Sequence, residues 1–351
     1  MGPDNPVLEH YRAYRAAIEA GDLARAETAA AAALAQSTAR DGDGGRTGIL
    51  ALNLAQVRLD RGLGSGAVEP ARQALEIASR DAASGVDPLL AKLTLGQAEL
   101  STSAGAERLE AALSESANRA DLADATYASL MALGEWRVQR ERFAEAQASF
   151  AAARAAARAN SVDPTYAAGR ALTREGVAIV RAVSRGQAFA DAALNSRRGA
   201  DLAAHAAFTE AAQSLAPLAL RQSAEGGLTL AESTYSEALA WREALRARMR
   251  LEGDRPPPLG DQSRIDRGAD ACAVRVRPAA FMPPSRQAPG AVVFRLKLND
   301  AGVIVEQRVA AAVPTNLARA AVEWQVERSP GAASNCRMAG AVFVPVSVEG
   351  S

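Results

Sequence analysis

Lysine is almost missing from this chain: Lys92 and Lys297 are the only two among 351 residues. The basic residues are nearly all arginine, and 40 of them in total balance 40 acidic ones, leaving no formal net charge. A nucleic-acid-binding domain shows a basic excess, and this chain advertises none. Aromatic residues make up only 4%, although 48% of the chain is apolar. Alanine takes their place, and alanine-rich helices pack closely, which favours stacked helices over a large mixed core. No run of about 18 apolar residues occurs, so no membrane-spanning helix is read from the sequence. The amino end, MGPDNPVLEH, has no charged segment leading into an apolar one, so no signal peptide is read there.

Groups that carry chemistry are equally scarce. The two histidines, His10 and His205, lie far from the two cysteines, Cys272 and Cys336, and no Cys-x-x-Cys pair exists. That excludes the usual zinc spacings. No Gly-x-Ser-x-Gly elbow is present, and two distant histidines build no triad. The glycine-rich GDGGRTG at 42–48 lacks the lysine of a phosphate-binding loop. His205, inside DLAAHAAFTEAA, reads as a packing or surface residue of a helix. Carboxylates such as Asp121, Glu141 and Glu145 stand beside arginines at helical spacing, the pattern of a solvated face. The chain is therefore read as having no catalytic, cofactor-binding or metal-binding residues.

What is abundant is small residues at a repeating spacing. Gly21-Asp22 is followed by Ala26, Ala30 and Ala33-Leu34; Gly62 by Ala67, Ala71 and Ala74-Leu75; Leu133-Gly134 by Phe143, Ala146, Phe150 and Ala153. Weaker copies use Leu95-Gly96 with Ala112-Leu113, and Gly169 with Leu172 and Gly176. Tyr14, Ala55, Gly96 and Gly134 are 41, 41 and 38 residues apart, so each copy forms one helix pair. This pattern resembles the tetratricopeptide repeat, with longer loops such as DGDGGRTG at 41–48. The resemblance implies a docking surface for a peptide or protein, with Tyr14, Asn53 and Trp136 as candidate groove residues. An alanine-rich bundle without true repeats is the alternative. From 165 to 252 the helices are either degenerate repeats or a closing cap, the last running from Leu228 through Trp241 to Leu251.

Helical spacing stops at GDRPPPLGDQSRIDRGAD, 253–270, where Pro256-Pro257-Pro258 favours extended backbone and marks a linker. Domains are thus expected at 1–252 and 271–351. In the second, Cys272–Arg277 suits a short strand. In VVFRLKLNDAGVIVEQRV, 292–309, Val292, Phe294, Leu296 and Leu298 alternate with polar neighbours, Asn299 to Gly302 forms a turn, and Val303 to Val309 returns. A helix is then predicted, capped by Asn316, with Leu317, Ala320, Ala321 and Trp324 on one face and Gly331 after its end. The last strand is Ala341 to Val348. The expected domain is α+β: a three-stranded antiparallel sheet and one main helix.

This order resembles the carboxy-terminal domain of the TonB family over roughly residues 280–349. The matching elements are Pro283-Pro284-x-Arg286, Gly290-x-Val292, Asp300-x-Gly302-x-Ile304, Ala320-Ala321-x-x-Trp324 and Val344-Pro345-Val346. The chain departs from the family at Gln325-Val326-Glu327 and at Ala310 to Thr315. The resemblance implies a partner strand added to the sheet edge, with Val342, Val344, Pro345, Val346 and Val348 as contact residues. Cys272 and Cys336 bracket this domain as either two buried thiols or a disulfide. The disulfide is favoured because so small a domain gains from a staple, roughly 4 kcal/mol in the chain-entropy treatment. It requires an oxidising compartment.

The expected protein is a non-enzymatic scaffold of the periplasm, its leader removed. Its partners are proteins or peptides, outer-membrane receptor segments among them, with no nucleic acid and with dimerisation open. A component of TonB-type energy transduction and a cytoplasmic repeat adaptor are the alternatives. A transducer needs an inner-membrane helix and a long Pro-rich spacer, neither of which is read from this sequence.

Overall fold

The computed structural model describes residues 6–157, 164–221, 228–258, 274–282, 289–328 and 336–348. The predicted Pro283 to Arg286 element, Cys272 and Gly331 lie outside them. Eleven α-helices come first among the described residues: α1 (Pro6–Glu19), α2 (Leu23–Asp41), α3 (Gly45–Asp60), α4 (Gly64–Arg80), α5 (Pro88–Ala98), α6 (Ser103–Ser116), α7 (Ala123–Gln139), α8 (Phe143–Ala157), α9 (Pro164–Ser184), α10 (Arg197–Arg221) and α11 (Leu230–Leu251). Five strands follow: β1 (Val274–Met282), β2 (Gly290–Leu298), β3 (Ile304–Val313), β4 (Ala321–Arg328) and β5 (Gly340–Val348). The chain divides into two compact units, one taking it to Glu141 and the other taking the helices and strands from Arg142 on.

In the first unit, the turns between paired helices sit where the sequence places its glycines. Gly21 and Gly62 have φ of 71° and 73°, a left-handed conformation that carries a side chain only with strain. Helix starts are capped locally. The Asp22 carboxylate accepts from the Arg25 amide at 3.0 Å, and Asp87 accepts from Leu89 and Leu90 at 2.8 and 3.2 Å. Each core cluster then draws on three successive helices. Ala17 of α1, Ala26 and Ala30 of α2, and Leu54 and Val57 of α3 form one. Ala55 of α3, Ala67 and Ala71 of α4, and Leu95 and Ala98 of α5 form the next. Leu89 and Leu93 of α5, Ala106 and Leu109 of α6, and Leu133 and Trp136 of α7 form a third.

Alanines at these positions let the helices approach closely enough for small side chains to fill the core. Gly96 shows how tight the contact is: a Cβ placed there falls 2.9 Å from the Leu109 Cα. Any larger residue at 96 pushes α5 and α6 apart.

In the second unit, α8 to α11 pack in sequence, and the strands close on α11. β2 is the middle of a three-stranded antiparallel sheet, ordered β3-β2-β5. β1 and β4 form a separate antiparallel ribbon. The β2–β3 turn forms where expected. Asn299 Oδ1 accepts from the amides of Ala301 and Val303 at 3.1 and 2.9 Å, and Gly302 takes φ of 80°.

The predicted helix around Leu317 to Trp324 does not form. Thr315–Arg319 makes a short 3-10 turn, and Ala321–Arg328 is strand β4. The reason lies in the alternation of Val322, Trp324 and Val326 with Glu323, Gln325 and Glu327. The apolar set faces the sheet core and the polar set faces out. The Pro256 to Pro258 stretch lies in neither helix nor strand, and the rest of the predicted linker, 259–270, falls outside the described residues. The terminal strands nonetheless belong to the same compact unit as α8 to α11.

Candidate functional site

The terminal sheet is buried on both faces. Val292, Phe294, Leu296 and Leu298 of β2 point to one side. There they join Val342, Val344, Val346 and Val348 of β5 under the β1–β4 ribbon, with Leu317. Phe294 meets the Trp324 ring edge-on, at 5.2 Å and 75°. On the other side Val293, Ala341 and Phe343 pack on Ala238, Leu239 and Ala240 of α11 and on Ala207 and Ala211 of α10. The Tyr235 ring stands edge-on to Phe343 at 5.3 Å.

A polar contact crosses this apolar seam. Arg295 of β2 is 3% exposed, and its Nε donates to Glu232 Oε1 of α11, itself fully buried, at 2.9 Å. The Glu232 carboxylate is also held from within its own helix. Its other oxygen accepts from the Thr229 amide at 2.8 Å, while Thr229 Oγ1 accepts from the Glu232 amide at 3.1 Å. This reciprocal capping box fixes the start of α11 and holds the carboxylate towards the sheet. Glu306 of β3 lies 3.4 Å from Arg295 Nη1 and also pairs with Arg308. A guanidinium is thereby matched by carboxylates from a helix and from the neighbouring strand.

Among the described residues no strand pairs with the outer edge of β3 or of β5. The four valines assigned to partner contact, Val342, Val344, Val346 and Val348, have their side chains in the core. The ribbon covers their face, so a partner meets only the β5 backbone and the opposite face at Pro345 and Ser347. Pro345 lies opposite Val293 in an unbroken register. Having no N–H, it fits a ladder where that position turns away from β2. Ser347, two residues on, then also turns its N–H outward. Cys336, just before β5, is disulfide-bonded, and Cys272 is the only other cysteine in the sequence.

The candidate groove residues do not share one environment. Tyr14 is half-buried, with its ring 5.9 Å from that of Tyr11, and Asn53 is half-buried on α3. Trp136 is 7% exposed within the α5–α6–α7 core, with the Arg140 guanidinium 4.6 Å over its ring. Its size is used for packing, and the groove reading is left to Tyr14 and Asn53.

A second polar group lies between α10 and α11, where His205, read from the sequence as a packing or surface residue, is packed inside. His205 is buried, with Nε2 3.5 Å from Arg246 Nη1, and Arg246 also donates to the Pro257 carbonyl. Arg248 pairs with the buried Asp201. Burial first, then the charges of Arg246 and Arg242, push the His205 pKa down from 6.5 to about 4. His205 is therefore neutral near pH 7. Among the described residues no group of three or more His, Cys, Asp or Glu side chains is placed to hold a metal ion, and no helix is long and apolar enough to cross a membrane.

Two predictions follow from these buried charges. Arg295→Met leaves the Glu232 carboxylate buried without its cation and lowers the unfolding free energy by about 3–5 kcal/mol. Adding Glu232→Gln, which keeps an acceptor for Thr229, recovers more than half of that loss in urea titrations. Equal losses in the single and double variants contradict the pairing. For His205, the folded pKa lies below the unfolded one, so the stabilising neutral form is fully present above pH 6.5 and is lost as pH falls towards 4. Relative to His205→Gln, the native chain loses up to about 3 kcal/mol across that window. Parallel pH profiles of the two proteins contradict a buried neutral imidazole.

No protein-family model matches the chain, and no curated protein matches it.

Proposed function

We propose that the chain is a non-enzymatic scaffold of the bacterial type of cell envelope. Helices α1 to α7 hold one protein partner, and the terminal sheet offers its β5 edge to a second. The observation that carries this reading is a sheet with both faces covered and its last strand left at an edge, on a support fixed to α11. Such a sheet has backbone donors and acceptors to offer where its side chains are committed to cores. The three-helix clusters that recur along the first unit support a tetratricopeptide-like array. The bonded Cys336 supports an oxidising compartment, with Cys272 as its partner. The resemblance to TonB-type domains now rests on the hairpin and the last strand, since β4 stands where that family's helix was expected.

The test is cross-linking capture from native envelopes with the full chain as bait. Ser347→Pro removes an outward N–H without touching the β2 ladder, and Tyr14→Ala with Asn53→Ala alters the helical surface. The reading expects each variant to lose a different captured protein. Capture unchanged in both sinks it, and free thiols at Cys272 and Cys336 in unreduced native protein contradict the envelope location.

A further inference from the structure

The two edges of the three-stranded sheet differ. β5 is interrupted by Pro345 near its middle. β3 runs for ten residues, IVEQRVAAAV, without a proline, and no strand among the described residues pairs with its outer edge. Val305 on β3 and Val303 just before it are 58% and 57% exposed. An edge strand with exposed valines is a template for a further strand unless charge opposes it.

Here the charges select a particular strand. Two register shifts against β2 bracket the stretch from Glu306 to Val309, which is itself regular. Glu306 and Arg308 lie opposite Lys297 and Arg295, on the α11 side. Gln307, between them, lies opposite Leu296 on the other side, where its Oε1 accepts from Trp324 Nε1 at 2.9 Å. A second β3 running antiparallel, with Gln307 on the two-fold axis, sets Glu306 of each copy opposite Arg308 of the other. At each end of this regular stretch the same register brings Val305 of one copy towards Val309 of the other. Centring on Glu306 or on Arg308 instead brings like charges face to face, which cross-strand pairing disfavours. The strand is thus self-complementary in one register, and that is the condition for a two-fold interface.

We propose that β3 pairs with β3 of a second copy of this chain, joining two terminal sheets about a two-fold axis at Gln307. β5 stays free in each copy, so the assembly presents its outward edge twice.

Sedimentation equilibrium of the full chain tests this, with far-UV circular dichroism confirming that each variant is folded. The native chain is expected to dimerise. Arg308→Glu, which sets like charges together at both symmetric positions, weakens the dimer at least about tenfold. Glu306→Arg combined with Arg308→Glu reinstates opposite pairs and restores it. Because Glu306 also neighbours the buried Arg295, Val305→Lys serves as an independent variant and is expected to weaken the dimer as well. A native chain that stays monomeric overturns the proposal, including the case where β3 instead takes a strand from another protein. So does a dimer undiminished by both Arg308→Glu and Val305→Lys.

Discussion

The contact between Arg295 and Glu232 is the constraint on which the second unit depends. Two charges buried this deeply are costly to desolvate, and their attraction offsets that cost only when geometry and further hydrogen bonds are good. Both conditions are met from local structure: the capping box holds Glu232 in position, and β2 brings Arg295 to it at 2.9 Å. Sliding β2 by one residue would turn Arg295 into the apolar core and Leu296 onto α11, so the pair selects a single register. Its contribution is better described as specifying the arrangement than as adding net stability. The Tyr235–Phe343 contact and the alanines of α10 and α11 supply the apolar burial around it.

Fixing the sheet on α11 determines what the sheet has left to offer. With one face on helices and the other under the β1–β4 ribbon, its valines are unavailable, and recognition falls to the backbone edges. The edges are then distinguished by sequence alone. Pro345 limits β5 to a few outward donors, while β3 keeps an uninterrupted backbone with charges that suit its own copy. A scaffold with one edge for itself and one for a partner follows from these two differences.

Much of this was legible from residues. The small positions of the helix pairs, the Asn299–Gly302 turn and the alternation of β2 all appear where their periods placed them, because local sterics and period-2 burial act over short spans. The helix expected at Leu317 was misread for a physical reason. Leu317, Ala320, Ala321 and Trp324 fit a 3.6-residue period, but Val322, Trp324 and Val326 fit a period of two, and pairing with β1 decided between them. The alternation of β2 set Arg295 on the face opposite Phe294 but named nothing for it to meet. Its true partner, Glu232, is 63 residues away on a helix whose own apolar stripe gave no sign of a sheet above it. Long-range pairing of this kind leaves no local signature. The helix around His205 marked it as a packing or surface residue, while its neighbour Arg246 comes from a different helix.

The terminal sheet and the helices beneath it belong to one compact unit and are expected to unfold as one cooperative body, despite the proline-rich segment between them. Native-state hydrogen exchange of the full chain in rising urea measures this most directly. Amides of β2, from Val292 to Leu296, and of α11, from Ser236 to Leu245, are predicted to open in the same step with the same denaturant dependence. Loss of protection in β2 while α11 stays protected would show that the sheet detaches as an independent domain, contradicting the account.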